Sequence, residues 1–142
     1  MNPTNRFALE THAGPYESWP SRTRLVVDGE PSELTIGGYV LLYQFETTAG
    51  YLLATDQDCP FEESVTFTLL SKDLREVLSE RMVGAMYASY WLTDIRWKDE
   101  RTFIATFDGV SGGWEFRIRS WSFPVIFPRL KKTYIATVQE PV

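Results

Sequence analysis

The sequence predicts a mainly β fold: one antiparallel domain spanning residues 1–142, built as a sandwich, a barrel or a propeller-like meander. Three observations carry this. Apolar and polar residues alternate with period two in run after run, as they do on strands buried on one face. Turn-forming residues punctuate those runs at roughly 8–12-residue intervals, the spacing of hairpin-linked strands. Aromatics reach 15% and are spread along the whole length, and a chain of 142 residues has room for one ordinary core.

The elements follow in chain order. Met1–Asn5 is expected to fray. Gly14–Pro20 carries Tyr16, Trp19 and two prolines, and reads as an irregular segment whose aromatics are pinned to the sheet. Thr23–Val27 is a β-branched run, closed by the turn pair Asp28-Gly29. Tyr39–Thr47 places Tyr39, Leu41, Tyr43 and Phe45 on one side, and Val40 and Leu42 imply that its start is covered on both faces. Thr48-Ala49-Gly50 turns the chain into Tyr51–Thr55. Over Ser64–Leu70, Val65, Phe67 and Leu69 oppose Thr66 and Thr68.

The next stretch supports two readings. Leu74, Val77, Leu78, Met82, Ala85 and Met86 share a helical face, and Asp73 with Glu76 makes a cap, so one helix within 73–89 fits. Leu69-Leu70, then Ser71-Lys72-Asp73, then Arg75–Met82 also reads as a hairpin continuing the meander, and that reading is preferred here. Beyond it, Leu92–Trp97, Thr102–Phe107, Trp114–Arg119 and Thr133–Val138 are strands, separated by Lys98-Asp99-Glu100, by Asp108 to Gly113 and by a stretch that Pro124 and Pro128 confine to an edge or loop.

Composition narrows function mainly by exclusion. No apolar run approaches the roughly 20 residues of a membrane helix, and Met1 to Glu10 lacks the basic and apolar parts of a secretory signal. The one cysteine, Cys59, cannot form an internal disulfide and suits a reducing compartment. A cytoplasmic protein with no cofactor and no membrane partner is expected. Residues 1–100 carry 8 Lys+Arg against 16 Asp+Glu, a balance of −8, and residues 101–142 carry 6 against 3, or +3. An acidic body disfavours nucleic acid, whose binding rests on phosphate neutralisation. The basic residues Arg117, Arg119, Arg129, Lys131 and Lys132 interleave with aromatics, but Arg117 and Arg119 alternate with Phe116 and Ile118 as solvent-facing strand positions do.

Gly109-Val110-Ser111-Gly112-Gly113 matches G-x-S-x-G. A nucleophilic serine needs a strand-to-helix elbow with a histidine base nearby; here a strand pattern follows and His12 is the sole histidine, so the motif reads as a hairpin turn. Asp56-Gln57-Asp58-Cys59-Pro60-Phe61-Glu62-Glu63 sets four carboxylates between two strands. Such oxygens suit a hard cation, and paired carboxylates can do acid–base chemistry, which leaves a metal-dependent enzyme using loop 56–63 as an alternative. The EF-hand spacing fails, because proline and phenylalanine stand where acidic ligands belong. A rigid turn with solvated Glu62 and Glu63 is the structural reading, and an acidic loop that contacts a partner is the functional one. Cys59 has acidic sequence neighbours, which oppose a reactive thiolate. Of the five tryptophans, Trp97, at a strand end, and Trp121, with the parity of Arg117 and Arg119, are the candidates for exposure.

The run Tyr51–Glu63 followed by Val65–Leu70 resembles small uncharacterised bacterial all-β proteins that carry a D-x-D-C-P-F-E-E loop. The resemblance implies a bacterial source and a β class, and it transfers no catalytic residue. Together these readings lead to a non-enzymatic binding protein: a bacterial immunity or inhibitor protein that neutralises a cognate, basic toxin. Its expected contacts are Asp56, Asp58, Glu62, Glu63, Trp97 and Trp121. A β-barrel that binds an apolar small ligand is the other alternative.

Overall fold

The computed structural model describes residues 1–58, 63–84, 89–120 and 128–136. Twelve strands and one 3-10 turn, Tyr16–Ser18, make up the described regular structure, which contains no α-helix. The strands are β1 (Asn2–Pro3), β2 (Phe7–Leu9), β3 (Thr23–Val27), β4 (Glu30–Ile36), β5 (Val40–Thr47), β6 (Gly50–Asp56), β7 (Val65–Leu70), β8 (Val77–Val83), β9 (Trp91–Asp99), β10 (Thr102–Asp108), β11 (Gly113–Ile118) and β12 (Leu130–Ile135). They form three open antiparallel sheets, in the orders β1-β5-β6-β7-β8, β12-β11-β10-β9 and β2-β3-β4.

The five-stranded sheet is the middle layer of three. One of its faces supplies Phe45, Leu52, Ala54, Val65, Phe67, Leu69 and Val83, which pack against Ile95, Phe103, Ala105, Phe107, Phe116, Ile118 and Leu130 of the four-stranded sheet. Phe67 lies at the centre, with ring centroids 4.4 Å from Phe116 and 5.7 Å from Phe103. The opposite face supplies Tyr51, Leu53 and Leu70 to a second core with Phe7, Leu25, Leu34 and Ile36 of the three-stranded sheet. Covered on both sides, β7 is buried at every position, and Thr68, fully buried, faces the second layer rather than water. Period two thus separates the two cores, not core from solvent.

Several sequence expectations need correction. Met1–Asn5 does not fray over its whole length: Asn2 and Pro3 pair with Glu46 and Phe45, and Thr4 N–H donates to the Gln44 carbonyl at 3.1 Å. The start of β5 is not covered on both sides: it is an edge, with Val40 38% exposed. Asp28 and Gly29, at φ 51° and 85°, do make the hairpin turn they signalled. The second strand of that hairpin, β4, escapes the pattern because Pro31 interrupts it.

Across 73–83 the strand reading holds and the helix does not form; residues 85–88 lie outside the described ones. Ser71 decides this locally. Its hydroxyl donates to Asp73 Oδ1 at 2.7 Å and accepts from the N–H groups of Arg75 and Glu76, both at 3.1 Å. Leu74 sits at φ 59°, a left-handed conformation that stops a helix at its first turn. Val77–Val83 then pairs with β7, from Leu70↔Val77 to Val65↔Val83.

Candidate interaction surface

The strand directions gather one set of described residues at a single end of the sandwich: the β4–β5 turn, Gln57 and Asp58 after β6, Glu63 and Ser64 before β7, Ser89 and Tyr90 before β9, and the β10–β11 turn. Contacts lock these together. Tyr90 N–H donates to the Glu63 carbonyl at 2.8 Å, joining the β8–β9 connection to the acidic loop. The Tyr90 ring lies 5.8 Å from Trp114, which lies 5.2 Å from Tyr134, whose hydroxyl donates to the Ser111 carbonyl. Ser111 is therefore a hairpin-turn residue.

The acidic loop divides into structural and accessible carboxylates. Glu63 is 2% exposed, against the expected solvated side chain. Its Oε1 accepts the Gln57 N–H at 2.7 Å, a charge-assisted bond that closes the loop from inside. Asp56 is half-buried; its Oδ1 accepts the Asp58 N–H at 3.1 Å. Burial raises the Asp56 pKa above the usual carboxylate value, opposed by that N–H and reinforced by the Asp58 charge. Asp58 is exposed at φ 52°, where an aspartate fits more readily than most residues. Glu62 lies outside the described residues.

The aromatic expectations fare differently. Trp97 is not an exposed strand-end side chain. It packs on the first core, 4.8 Å from Phe103 and 5.4 Å from Phe45, and its Nε1 is buried without a hydrogen-bond partner among the described residues. It also belongs to the far end of β9 from the acidic loop. Trp121 lies outside the described residues.

The exposed large hydrophobics that the structure does describe are Tyr16, Val40, Met82, Trp91 and Tyr134. All five ring the acidic end. Val40 pairs with Asp56, Met82 with Thr66 near the start of β7, and Trp91 with Asp108. Tyr134 is opposite Trp114 near the end of β12, and the Tyr16 hydroxyl donates to the Gln57 carbonyl at 2.9 Å. Trp91 is 48% and Tyr134 51% exposed, and Trp91 is the ladder partner of Asp108, whose carboxylate is also exposed. Sequence reasoning missed Trp91, because the strand was expected to begin only at Leu92, and chose Trp97 for its place at a strand end.

Below this rim, an open cleft of about 580 Å³ runs between Tyr16, Gln57, Thr66 and Met82. Glu80 lines it and is held by Arg22 through two hydrogen bonds of 2.6 and 3.1 Å. Arg22 also donates to the Thr35 carbonyl, fastening the three-stranded sheet to the middle one. At its margin, Lys132 Nζ donates to the Met82 carbonyl at 2.7 Å. Burial, with a smaller push from Arg81, lowers the Lys132 pKa. Among the described residues no three His, Cys, Asp or Glu side chains are placed to hold a metal ion, and no helix is long and apolar enough to cross a membrane.

No family model, curated protein or solved structure matches the chain. Any functional reading therefore rests on the chemistry of this surface.

Proposed function

We propose that this is a non-enzymatic protein-binding module: an immunity or inhibitor protein that captures a cognate, basic toxin stoichiometrically in the bacterial cytoplasm. One observation carries the reading. The five exposed large hydrophobics of the described residues share one end of the sandwich with the exposed carboxylates Asp58 and Asp108. Aromatic anchors among solvated charges suit a protein interface: the rings supply affinity and the charges steer encounter. The carboxylates fit a basic partner and disfavour a nucleic acid, which they would repel.

The test places a photo-crosslinking amino acid at Trp91 and, separately, at Tyr134, and identifies the adduct formed in the source cell. Binding kinetics across a salt series and suppression of the partner's toxicity on co-expression follow. Expected are a basic protein adduct, an on-rate that falls with ionic strength, and rescue by the parent chain but not by Trp91→Ala with Tyr134→Ala. A nucleic-acid or small-molecule adduct would overturn the reading. Salt-independent association with a protein would remove its electrostatic part.

A further inference from the structure

A bulge decides which way Trp91 faces. From Trp97 back to Asp94 the β9–β10 ladder is regular. Trp97 and Ile95 lie opposite Phe103 and Ala105 and pack into the first core, while Arg96 and Asp94 lie opposite Ile104 and Thr106 on the outer face of the four-stranded sheet. Carried on unbroken, that alternation would turn Thr93 and Trp91 inward. The register instead skips Thr93, so that Leu92 pairs with Phe107 and Trp91 with Asp108. One extra residue exchanges the faces of every side chain before it. Leu92 joins the first core, and Trp91 stands on the outer face, 48% exposed. Thr93 fixes the bulge, its hydroxyl 3.0 Å from the Thr106 carbonyl and 3.2 Å from the Thr106 hydroxyl.

What the bulge puts outside is a ring beside carboxylates. Trp19, Trp97 and Trp114 each touch other aromatic rings, whereas Trp91 touches none among the described residues. Its ladder partner Asp108 is exposed, as is Asp94, one ladder position inward on the same face. Directly opposed residues hold their Cβ atoms roughly 4.5–5.5 Å apart, which puts the Asp108 carboxylate within reach of the indole edge. Neither carboxylate takes an ion pair or hydrogen bond from the described residues, in contrast to Asp28 and Glu46, which Arg6 and Lys72 answer. Arg96 and Lys98 follow further down β9, so the acidic stretch of this face is confined to the Trp91 end.

We infer that Trp91, Asp94 and Asp108 form an arginine-capture site: an arginine side chain of the protein partner stacks its guanidinium on the exposed indole and directs its N–H fork to the flanking carboxylates. The occupant follows from chemistry. A guanidinium is planar, weakly hydrated and forked, so it stacks on a ring and bonds a carboxylate at once, which the compact ammonium of lysine does less well. The site is an open sheet face rather than an enclosed pocket, so it suits a side chain presented by a protein surface and not a free small molecule. With carboxylates at two places beside the ring, either one can hold the fork. Loss of Asp108 alone therefore changes the approach of the cation more than its retention. The inference rests on the protein-binding reading and names the side chain that is captured.

The probe is the peptide acetyl-Gly-Ser-Arg-Ser-Gly-amide, titrated into the full chain up to roughly tens of millimolar and followed by the chemical shift of the Trp91 indole N–H, which Trp91→Phe assigns by deleting its signal. A saturable shift is expected. The peptide with lysine in place of arginine should bind about fivefold more weakly, and one with citrulline, isosteric but uncharged, not measurably. Asp94→Asn combined with Asp108→Asn should weaken the arginine peptide about tenfold and Asp108→Asn alone about twofold. Asp58→Asn, which removes a carboxylate of the same end but not one beside the ring, should do less than either. None of these side chains belongs to a core, so the variants should keep the parent's circular dichroism. An indole signal that the arginine peptide does not move overturns the inference. So does a lysine peptide that binds equally well, or an Asp58→Asn variant that loses as much as the double one. A crosslinked toxin whose affinity ignores the double carboxylate change sinks arginine capture alone; arginine-selective binding at Trp91 with no protein adduct sinks the toxin reading alone.

Discussion

Glu63 is the residue at which structure and sequence pattern make opposite predictions about a single substitution. Read as a solvated member of an acidic loop, Glu63→Ala should leave stability untouched and slow association. The structure predicts the reverse. The side chain is 2% exposed and its carboxylate takes the Gln57 N–H at 2.7 Å. Removing it strands a part-buried backbone donor, which costs about 1–3 kcal/mol, and leaves a void where one methylene and the carboxylate packed, so a total near 3 kcal/mol is expected. For a domain of this size that corresponds to a fall in melting temperature of about 9 °C. Glu63→Gln keeps both shape and acceptor and should lose about 1 kcal/mol. Glu63→Lys, a natural charge-reversal test if the group faced water, should instead fail to fold at all. The assay is urea unfolding followed by tryptophan fluorescence, comparing midpoints at constant slope. A Glu63→Ala variant within 0.5 kcal/mol of the parent, roughly the margin of a surface change, would refute the buried capping role and return the carboxylate to the partner surface.

Four further outcomes follow. Phe67→Ala removes the ring between Phe103 and Phe116 at the centre of the first core and should cost about 3–5 kcal/mol by urea unfolding. Gly50→Ala places a Cβ 2.0 Å from the Leu70 carbonyl oxygen at φ 145°, so it should destabilise by more than about 2 kcal/mol, whereas Gly29→Asn at φ 85°, with open space around the new Cβ, should change stability by under about 1 kcal/mol. Burial raises the Asp56 pKa, so its contribution to stability is full below the ordinary value of 3.8 and is lost as pH rises through the folded-state pKa. Asp56→Asn should therefore raise the melting temperature at pH 7 relative to the parent, with the gain vanishing on acidification below 3.8. Asp58→Asn and Asp108→Asn should slow association with a basic partner at low salt without changing the dissociation rate, and that effect should fade above about 0.15 M salt.

The strand sequence was readable because the alternation is real: Thr23–Val27, Ser64–Leu70 and Thr102–Phe107 emerge within a residue of their observed limits. The layering was not readable. Thr66 and Thr68 look solvent-facing by composition, yet Thr68 is fully buried, because a third sheet built partly from the unpromising Glu30–Ile36 covers that face. Local chemistry also hid the break at Leu74. The apolar positions in 74–86 do have helical spacing, and the Ser71 hydroxyl network with a left-handed Leu74 instead leads into the strand Val77–Val83. At the candidate surface, the sequence located the acidic loop but could not assign its members. Burial of Glu63 comes with its bond to the Gln57 N–H, and exposure of Trp91 depends on which sheet face β9 presents.

These assignments change how far the charge of the molecule can act. Of the four carboxylates in 56–63, Glu63 is consumed as an internal acceptor and Asp56 is half-buried under an N–H, while Asp58 and, across the rim, Asp108 face solvent. Other acidic side chains are neutralised where they stand: Asp28 by Arg6, Glu80 by Arg22, Glu46 by Lys72 and Glu115 by Lys98. Pairs within residues 1–100 are already counted in the net −8 of that stretch, but that charge is spread over the body; at the binding end the described exposed carboxylates are Asp58 and Asp108, so the local field comes from a few fixed charges there. Steering by so few charges is short-ranged and easily screened, so it sets the rate of encounter more than the lifetime of a complex. Lifetime falls instead to Trp91 and Tyr134. Truncating those rings should act on dissociation, and neutralising Asp58 or Asp108 on association, a separation that one set of binding kinetics can display.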